Sequence, residues 1–188
     1  ADRLDHEIDI ANETGGKVAL IGIDLDRFKE LNDLRGHGVG DMLLRTLGAR
    51  LAELLRDGEF VARIGGDEFA AIQRFTDYAA LEDFLVRLQE ALFGPIKEQG
   101  LAVVPGASLG VAIYPDNASS REMLIANADL AMYRAKADLT LHVCYYDQSM
   151  DDIVRARRSL ANDLRAAIDN NELDVHYQVQ TSVSTNQI

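Results

Sequence analysis

The sequence predicts an α/β sandwich in which one sheet is covered mainly by helices. Three observations predict it. Short runs rich in Val and Ile alternate with longer segments whose apolar residues recur at helical spacing, which is how strands and helices taken in turn read. The run "KVALIGIDL" (17–25) is apolar at nearly every position, as a strand buried on both faces must be. The runs "EFVARI" and "DEFAAIQRF" flank Gly65-Gly66, a hairpin signal because tight turns use the positive φ that glycine adopts freely.

Taken in order, residues 1–14 read as a helix and 17–25 as the buried strand. From Asp26, placed as an N-cap, Phe28, Leu31 and Leu34 recur at helical spacing as far as Gly36. Residues 40–56 form a strongly amphipathic helix, with Met42, Leu43, Leu47, Leu51, Leu54 and Leu55 along one stripe. The hairpin follows, with Gly65-Gly66 as its turn. A helix over 76–93 is stopped by Gly94-Pro95, and residues 101–115 are strand material broken at Pro105-Gly106. Ser119 with Glu122 makes a capping box for a helix over 120–137. "LHVCYYD" (141–147) is a last strand, followed by a long helix through residue 171 and a short strand, "LDVHYQVQ". Composition changes over 148–160, which divides the chain into 1–147 and 148–188.

Composition narrows the function. The 188 residues suit one full domain and a piece of another. A net charge of −12 argues against nucleic acid or an anionic membrane surface as partner. An anionic substrate would therefore be held through metal ions and a few local cations. The single cysteine, Cys144, excludes an internal disulfide and a cysteine-based zinc cluster, and it suits a reducing, cytosolic setting. No apolar run approaches 18 residues and no signal-peptide pattern opens the chain, so it reads as soluble; an anchor in a longer parent is compatible with that.

Two stretches carry chemistry. Asp24 closes the buried strand at its C-terminal end, where α/β folds place ligands. The helix that follows offers free N–H groups and a positive dipole end to an anion, with Lys29 in its first turn. A carboxylate beside a phosphate cradle makes electrostatic sense when Mg²⁺ lies between them. Read alone, Asp24 and Asp26 are equally a strand end and an N-cap. In the hairpin, Gly65 and Gly66 would let a substrate approach the backbone while Asp67 and Glu68 face Asp24 across the sheet, with Phe69 alternating into the core. A solvated acidic turn has the same letters. Asn32, Asp33 and Asp41 flank "LRGHG" and carry the donors and acceptors that a purine edge needs, though such residues also simply build turns.

Together these stretches resemble a known family. "DLDRFKELNDLRGHGVGD" (24–41), "RIGGDEF" (63–69), "SLGVAIYP" (108–115) and "ADLAMYRAK" (128–136) are similar in order and spacing to the GGDEF domain of diguanylate cyclases. The resemblance implies a nucleotidyl-cyclase-like α+β fold, a central mixed sheet covered by helices with a catalytic β-hairpin. It implies that two GTP molecules, one on each of two facing protomers, are condensed to cyclic di-GMP. It assigns metal binding (Mg²⁺ or Mn²⁺) to Asp24, Asp67 and the Leu25 carbonyl, and guanine recognition to Asn32 and Asp41. It assigns phosphate contacts to Phe28 through its backbone, Lys29 and Lys136, and the catalytic hairpin to Gly65, Gly66, Asp67 and Glu68.

Departures from the family pattern shape the rest. Thr140 stands where the family has a phosphate-binding Arg, and the loss of that cation should weaken nucleotide binding. The family's product-inhibition motif, Arg-x-x-Asp, reads here as Arg56 and Glu59, an altered and degenerate inhibitory site for cyclic di-GMP. Residues 158–188 resemble the opening helix and first strand of an EAL phosphodiesterase domain, with Tyr177-Gln178-Val179 in place of the usual Tyr-Gln-Pro. The chain ends before any metal ligand of that domain. The expectation is a cytoplasmic GGDEF–EAL signalling protein, either cyclase-active or using GTP binding to control the attached EAL domain.

Overall fold

The run 17–25 becomes the centre of the sheet. The computed structural model describes residues 2–98, 101–138 and 140–151. The chain separates between Gln148 and Ser149, and every element named below lies in the first unit. The expected helix through residue 171 and the strand beyond it lie outside the described residues. In chain order the elements are α1 (Asp2–Thr14), β1 (Lys17–Leu25), α2 (Phe28–Arg35), α3 (His37–Glu53), β2 (Glu59–Gly65), β3 (Glu68–Phe75), α4 (Tyr78–Phe93), β4 (Ile96–Glu98), β5 (Leu101–Val103), β6 (Ala107–Tyr114), α5 (Arg121–Ala137) and β7 (Val143–Tyr145). Five strands form a mixed sheet in the order β2-β3-β1-β6-β7, and β4 and β5 form a separate two-stranded ribbon. All pairings in the large sheet are antiparallel except β6 with β7.

β1 is buried from Val18 to Leu25 because helices cover both faces. With a side-chain period of two, Ala19, Ile21, Ile23 and Leu25 pack with Leu47 and Leu51 of α3 and Phe84, Leu88 and Leu92 of α4. Val18 and Leu20 face the other way, with Leu4 and Ala11 of α1 and Leu124 and Ala128 of α5. Gly22 and Gly110 sit opposite one another where α5 crosses the sheet. A Cβ on Gly110 would lie 2.0 Å from the Met132 nitrogen and 2.2 Å from the Ala128 carbonyl oxygen, so the α5 backbone rests directly on β6. That contact sets the height at which the last turn of α5, with Lys136, passes over the end of β1.

Several local expectations are corrected. Asp26 does not cap a helix: its N–H donates to the Gly106 carbonyl (2.9 Å) and its carboxylate accepts from Ser108 Oγ (2.8 Å), which ties it to the entry of β6. Arg27 takes the N-cap position instead, at φ 55, with no side-chain cap. Ser120, rather than Ser119, caps α5 by accepting from the Met123 N–H at 3.2 Å, which moves Glu122 to the second helical position, where it pairs with Arg121. The helix expected from residue 40 begins at His37, immediately after Gly36 turns the chain at φ 85. In the hairpin, a register irregularity between Arg63 and Gly65 keeps Gly65 in β2, so Gly66 and Asp67 make the turn, Gly66 at φ 50. The ribbon strand β4 has no signal in the sequence.

Candidate active site

At the C-terminal end of β1, Asp24 has Glu68 of β3 and Ser108 of β6 as its cross-strand partners. Residues directly opposite on paired strands share a face, and here it is the face that α5 covers. Asp24 is only 7% exposed, and Lys136 Nζ donates to its Oδ1 at 2.6 Å. That hydrogen bond to Asp24 holds the Lys136 ammonium above the usual lysine range, and the charges of Asp67 and Asp26 push in the same direction. Asp24 is the carboxylate paired with that ammonium, and Asp67 and Asp26 add their charge from farther off.

The hairpin reaches this end of the sheet through its backbone. The Leu25 N–H donates to the Asp67 carbonyl at 3.2 Å, fastening the turn to the end of β1. Arg63 Nε and Nη2 both donate to the Gly66 carbonyl, at 2.9 and 2.7 Å, and brace the tip. A Cβ on Gly65 or Gly66 would meet no atom within 4 Å, so the tip stands open. Glu68 is exposed.

On the other side of β1, α2 starts without a side-chain cap, leaving the N–H groups of its first turn to an anion. Arg27, a non-glycine residue in the left-handed region, swings the chain from the strand into this helix. Lys29 in the same turn is exposed. Asn32 Oδ1 is buried with no hydrogen-bond partner. It rests on Gly40 of α3, where a Cβ would lie 2.0 Å from it. An unpartnered buried acceptor costs roughly 1–3 kcal/mol, so a ligand donor there would be favoured. Asp41 follows at the surface of α3. A cavity of about 610 Å³ lies against this region, lined among others by Leu25, Arg27, Phe28, Gly106, Ser108 and Lys136.

The donor set suits Mg²⁺. Among the described residues no three His, Cys, Asp or Glu side chains form a ready-made cage. Asp24, Asp67 and the Leu25 carbonyl are hard oxygen donors, the sparse set that Mg²⁺ takes when phosphate oxygens and water complete its shell. Two sequence-derived features are not brought here. Glu59 is 6% exposed, at the other end of the sheet. Its carboxylate is engaged by Arg87 Nη1 and Nη2 (3.0 and 2.5 Å) and by the Arg56 N–H (2.9 Å). The Arg56 guanidinium turns to Asp83 at 2.7 Å, so Arg56 and Glu59 do not form a ligand-facing pair. Thr140 donates its N–H and Oγ1 to Asp138 Oδ1, at 3.0 and 2.7 Å, which closes a turn and holds the Asp138 carboxyl below its usual range. Sequence reasoning missed the supporting residues: Ser108, which anchors Asp26; Gly40, which seats Asn32; and Gly110, which seats α5. Only the glycines within otherwise regular elements hinted at the last two.

An acidic, glycine-tipped hairpin, an uncapped helix and Lys136 thus lie at one end of an α/β sandwich. The family model described as diguanylate cyclase, GGDEF domain, matches residues 1–140, and the chain belongs to the GGDEF family. An uncharacterized signaling protein of Caulobacter vibrioides is 44% identical over 178 residues, 94% of this chain and 22% of that protein. MucR of Pseudomonas aeruginosa, a bifunctional diguanylate cyclase/cyclic di-GMP phosphodiesterase, is 34% identical over 177 residues, 94% of this chain and 26% of its own length. A structure of the GGDEF domain of TpbB from Pseudomonas aeruginosa superposes with a TM-score of 0.77 at 33% identity, covering 82% of this chain and 91% of that one. The chain thus spans between 22% and 26% of the length of these two curated relatives. Among the described residues no helix is long and apolar enough to cross a membrane.

Proposed function

We propose that this chain carries a diguanylate cyclase domain that condenses two GTP molecules to cyclic di-GMP with release of pyrophosphate. The observation that supports the reading is the ion pair of Lys136 with the buried Asp24 at the end of β1, with the Asp67 backbone fastened beside it by the Leu25 N–H. Asn32, with its unpartnered buried Oδ1, accepts an N–H from the guanine edge, and Asp41 accepts a second. The open first turn of α2 at Phe28, with Lys29 and Lys136, takes the phosphates. Asp24, Asp67 and the Leu25 carbonyl hold Mg²⁺ or Mn²⁺, which when bound neutralises the triphosphate and lowers the pKa of the attacking 3′-hydroxyl. The open hairpin tip at Gly65-Gly66 lets the second nucleotide approach, and Glu68 faces it on the same side of the sheet as Asp24. Each 3′-oxygen attacks the α-phosphorus of the other GTP and pyrophosphate leaves. One domain holds one nucleotide, so the reaction requires a homodimer. GTP as substrate fits a cytoplasmic site of action.

A second reading rests on Thr140, whose hydroxyl turns to Asp138 where the family has a phosphate-binding Arg. In it the domain binds GTP without condensing it and controls an EAL phosphodiesterase in a longer parent. The sequence alignment with bifunctional MucR runs over 94% of the chain, against 71% for the alignment with the diguanylate cyclase TpbB, which favours a GGDEF–EAL parent. The buried, Arg87-bound state of Glu59 speaks against tight product binding at Arg56 in either reading.

Incubation of the dimeric protein with GTP and Mg²⁺ or Mn²⁺ tests the choice. Cyclic di-GMP should form, and Asp67→Ala and Asp24→Ala should each abolish it with far-UV dichroism unchanged. GTP binding without product would favour the second reading. Near wild-type turnover by Asp67→Ala would overturn the assignment of Asp67 to the metal.

A further inference from the structure

We infer that Lys136 is the resident counter-ion of the acidic site, neutralising Asp24 until a divalent ion takes its place. The inference rests on the proposed reading of Asp24 as a metal ligand and adds a competition to it. The Asp24 side chain is 10% exposed and the Lys136 side chain 49%. A buried carboxylate needs a compensating charge, and among the described residues Lys136 is the cation paired with it. Asp24 is held in the central strand and cannot follow a ligand. Lys136 enters from the solvent side on a flexible stem, so it can leave without unpacking the core. Its reach is set by the contact of the α5 backbone with Gly110.

An ammonium 2.6 Å from Asp24 Oδ1 occupies the place of a divalent ion. A magnesium ion would sit about 2.0–2.1 Å from a carboxylate oxygen of Asp24, close enough to the ammonium for the two like charges to repel strongly in this buried setting. Metal binding alone therefore works against the charged hydrogen bond and leaves Lys136 beside a second cation. When the metal arrives with a triphosphate, the phosphate oxygens receive the displaced ammonium. Lys136 accordingly acts in opposite directions on the two ligands. It opposes the free metal and favours the metal–nucleotide complex, which couples metal entry to nucleotide entry.

The test is Mn²⁺ binding to the full chain without nucleotide, read by electron paramagnetic resonance of the free ion. Lys136→Met should bind Mn²⁺ about tenfold more tightly than the parent, a factor scaled from one charged hydrogen bond at a half-exposed position. Lys136→Arg should stay near the parent, and Asp24→Asn added to Lys136→Met should remove the gain. Affinity for the Mg²⁺–GTP complex should fall in Lys136→Met. Unchanged, weaker or undetectable Mn²⁺ binding by Lys136→Met would overturn the inference. Should that variant fail to fold, Lys136→Gln should show the same tighter Mn²⁺ binding, and its absence there would overturn the inference equally. A chain that shows the Mn²⁺ gain yet makes no cyclic di-GMP would leave the inference standing and remove the cyclase reading.

Discussion

The two ends of the sheet are built to different rules. At the end where β1 begins, charges are answered by charges. Glu59 is clasped by Arg87, Asp83 bridges Arg56 and Arg87, and Lys17 meets Asp116 and Tyr78. Glu7 of α1, 1% exposed, pairs with Arg3 at 2.7 Å and Arg74 at 3.6 Å, while the Arg3 guanidinium stacks 3.4 Å from the Phe60 ring centroid. At the end where β1 stops, α2 is uncapped, the hairpin tip stands open, the buried Asp24 is paired with Lys136, and Asn32 Oδ1, like Glu7 Oε2 and Gln73 Oε1 at the first end, has no hydrogen-bond partner. The first end holds α1, α4 and the base of the hairpin together. The second keeps polar groups available at the cost of local stability. Stability and ligand binding are thus separated along the strands.

The largest effect on stability should come from the first end. Arg87→Ala leaves Glu59 buried without its guanidinium, a change expected to cost about 3–5 kcal/mol. Urea denaturation should show this loss, while Mg²⁺-dependent GTP affinity in the folded fraction stays near the parent value. Equal losses of stability from Arg87→Ala and Asp67→Ala would dissolve the contrast between the ends.

Two glycines sharpen it. Gly110→Ala forces a methyl into the backbone of α5 and should destabilise by about 1–3 kcal/mol. By lifting α5 it should also draw Lys136 away from Asp24 and weaken GTP binding. Gly65→Ala meets no neighbouring atom and should leave the melting temperature unchanged. Its effect, if the tip receives nucleotide, should be on turnover.

The smallest effect is a pH dependence at the first end. The hydrogen bond from Lys17, with a second from Tyr78, holds the Asp116 carboxyl below its ordinary 3.8. A lowered carboxylate stabilises the fold above its unfolded pKa, and that contribution disappears as pH falls through the lower folded value. Lys17, raised above 10.5 chiefly by Asp116 and then by Tyr78, contributes below that value and loses its contribution as pH rises through the folded one. Between these limits the pair should be silent. Asp116→Asn should therefore flatten the acid limb below about pH 4 in a thermal-melt series and change little at pH 7. An unaltered acid limb would show that the pair contributes nothing.

Much of the architecture was legible because it is written locally. The doubly buried β1, the leucine stripe of α3 and the Gly-tipped hairpin follow from periods of two and 3.6 read over a few residues. What was not legible depends on pairs that only the topology creates. Lys136 meets Asp24 across 112 positions, and Arg87 reaches Glu59 across 28. The acidic letters at 56–59 gave no sign that Glu59 is buried, since that depends on α4 packing behind it. Asp26 looked like a cap because Asp before a helix usually is one; its actual partners, Ser108 and Gly106, lie on another strand and at its entry.

The most direct test of the division between the two ends is calorimetric titration of Asp67→Ala with GTP in the presence of Mg²⁺, alongside its thermal melt. The parent should bind GTP in a metal-dependent way. Asp67→Ala should lose at least tenfold in affinity and keep a melting temperature within a degree or two of the parent. GTP binding of parental affinity by Asp67→Ala, or a melt lowered as far as that of Arg87→Ala, would contradict the division.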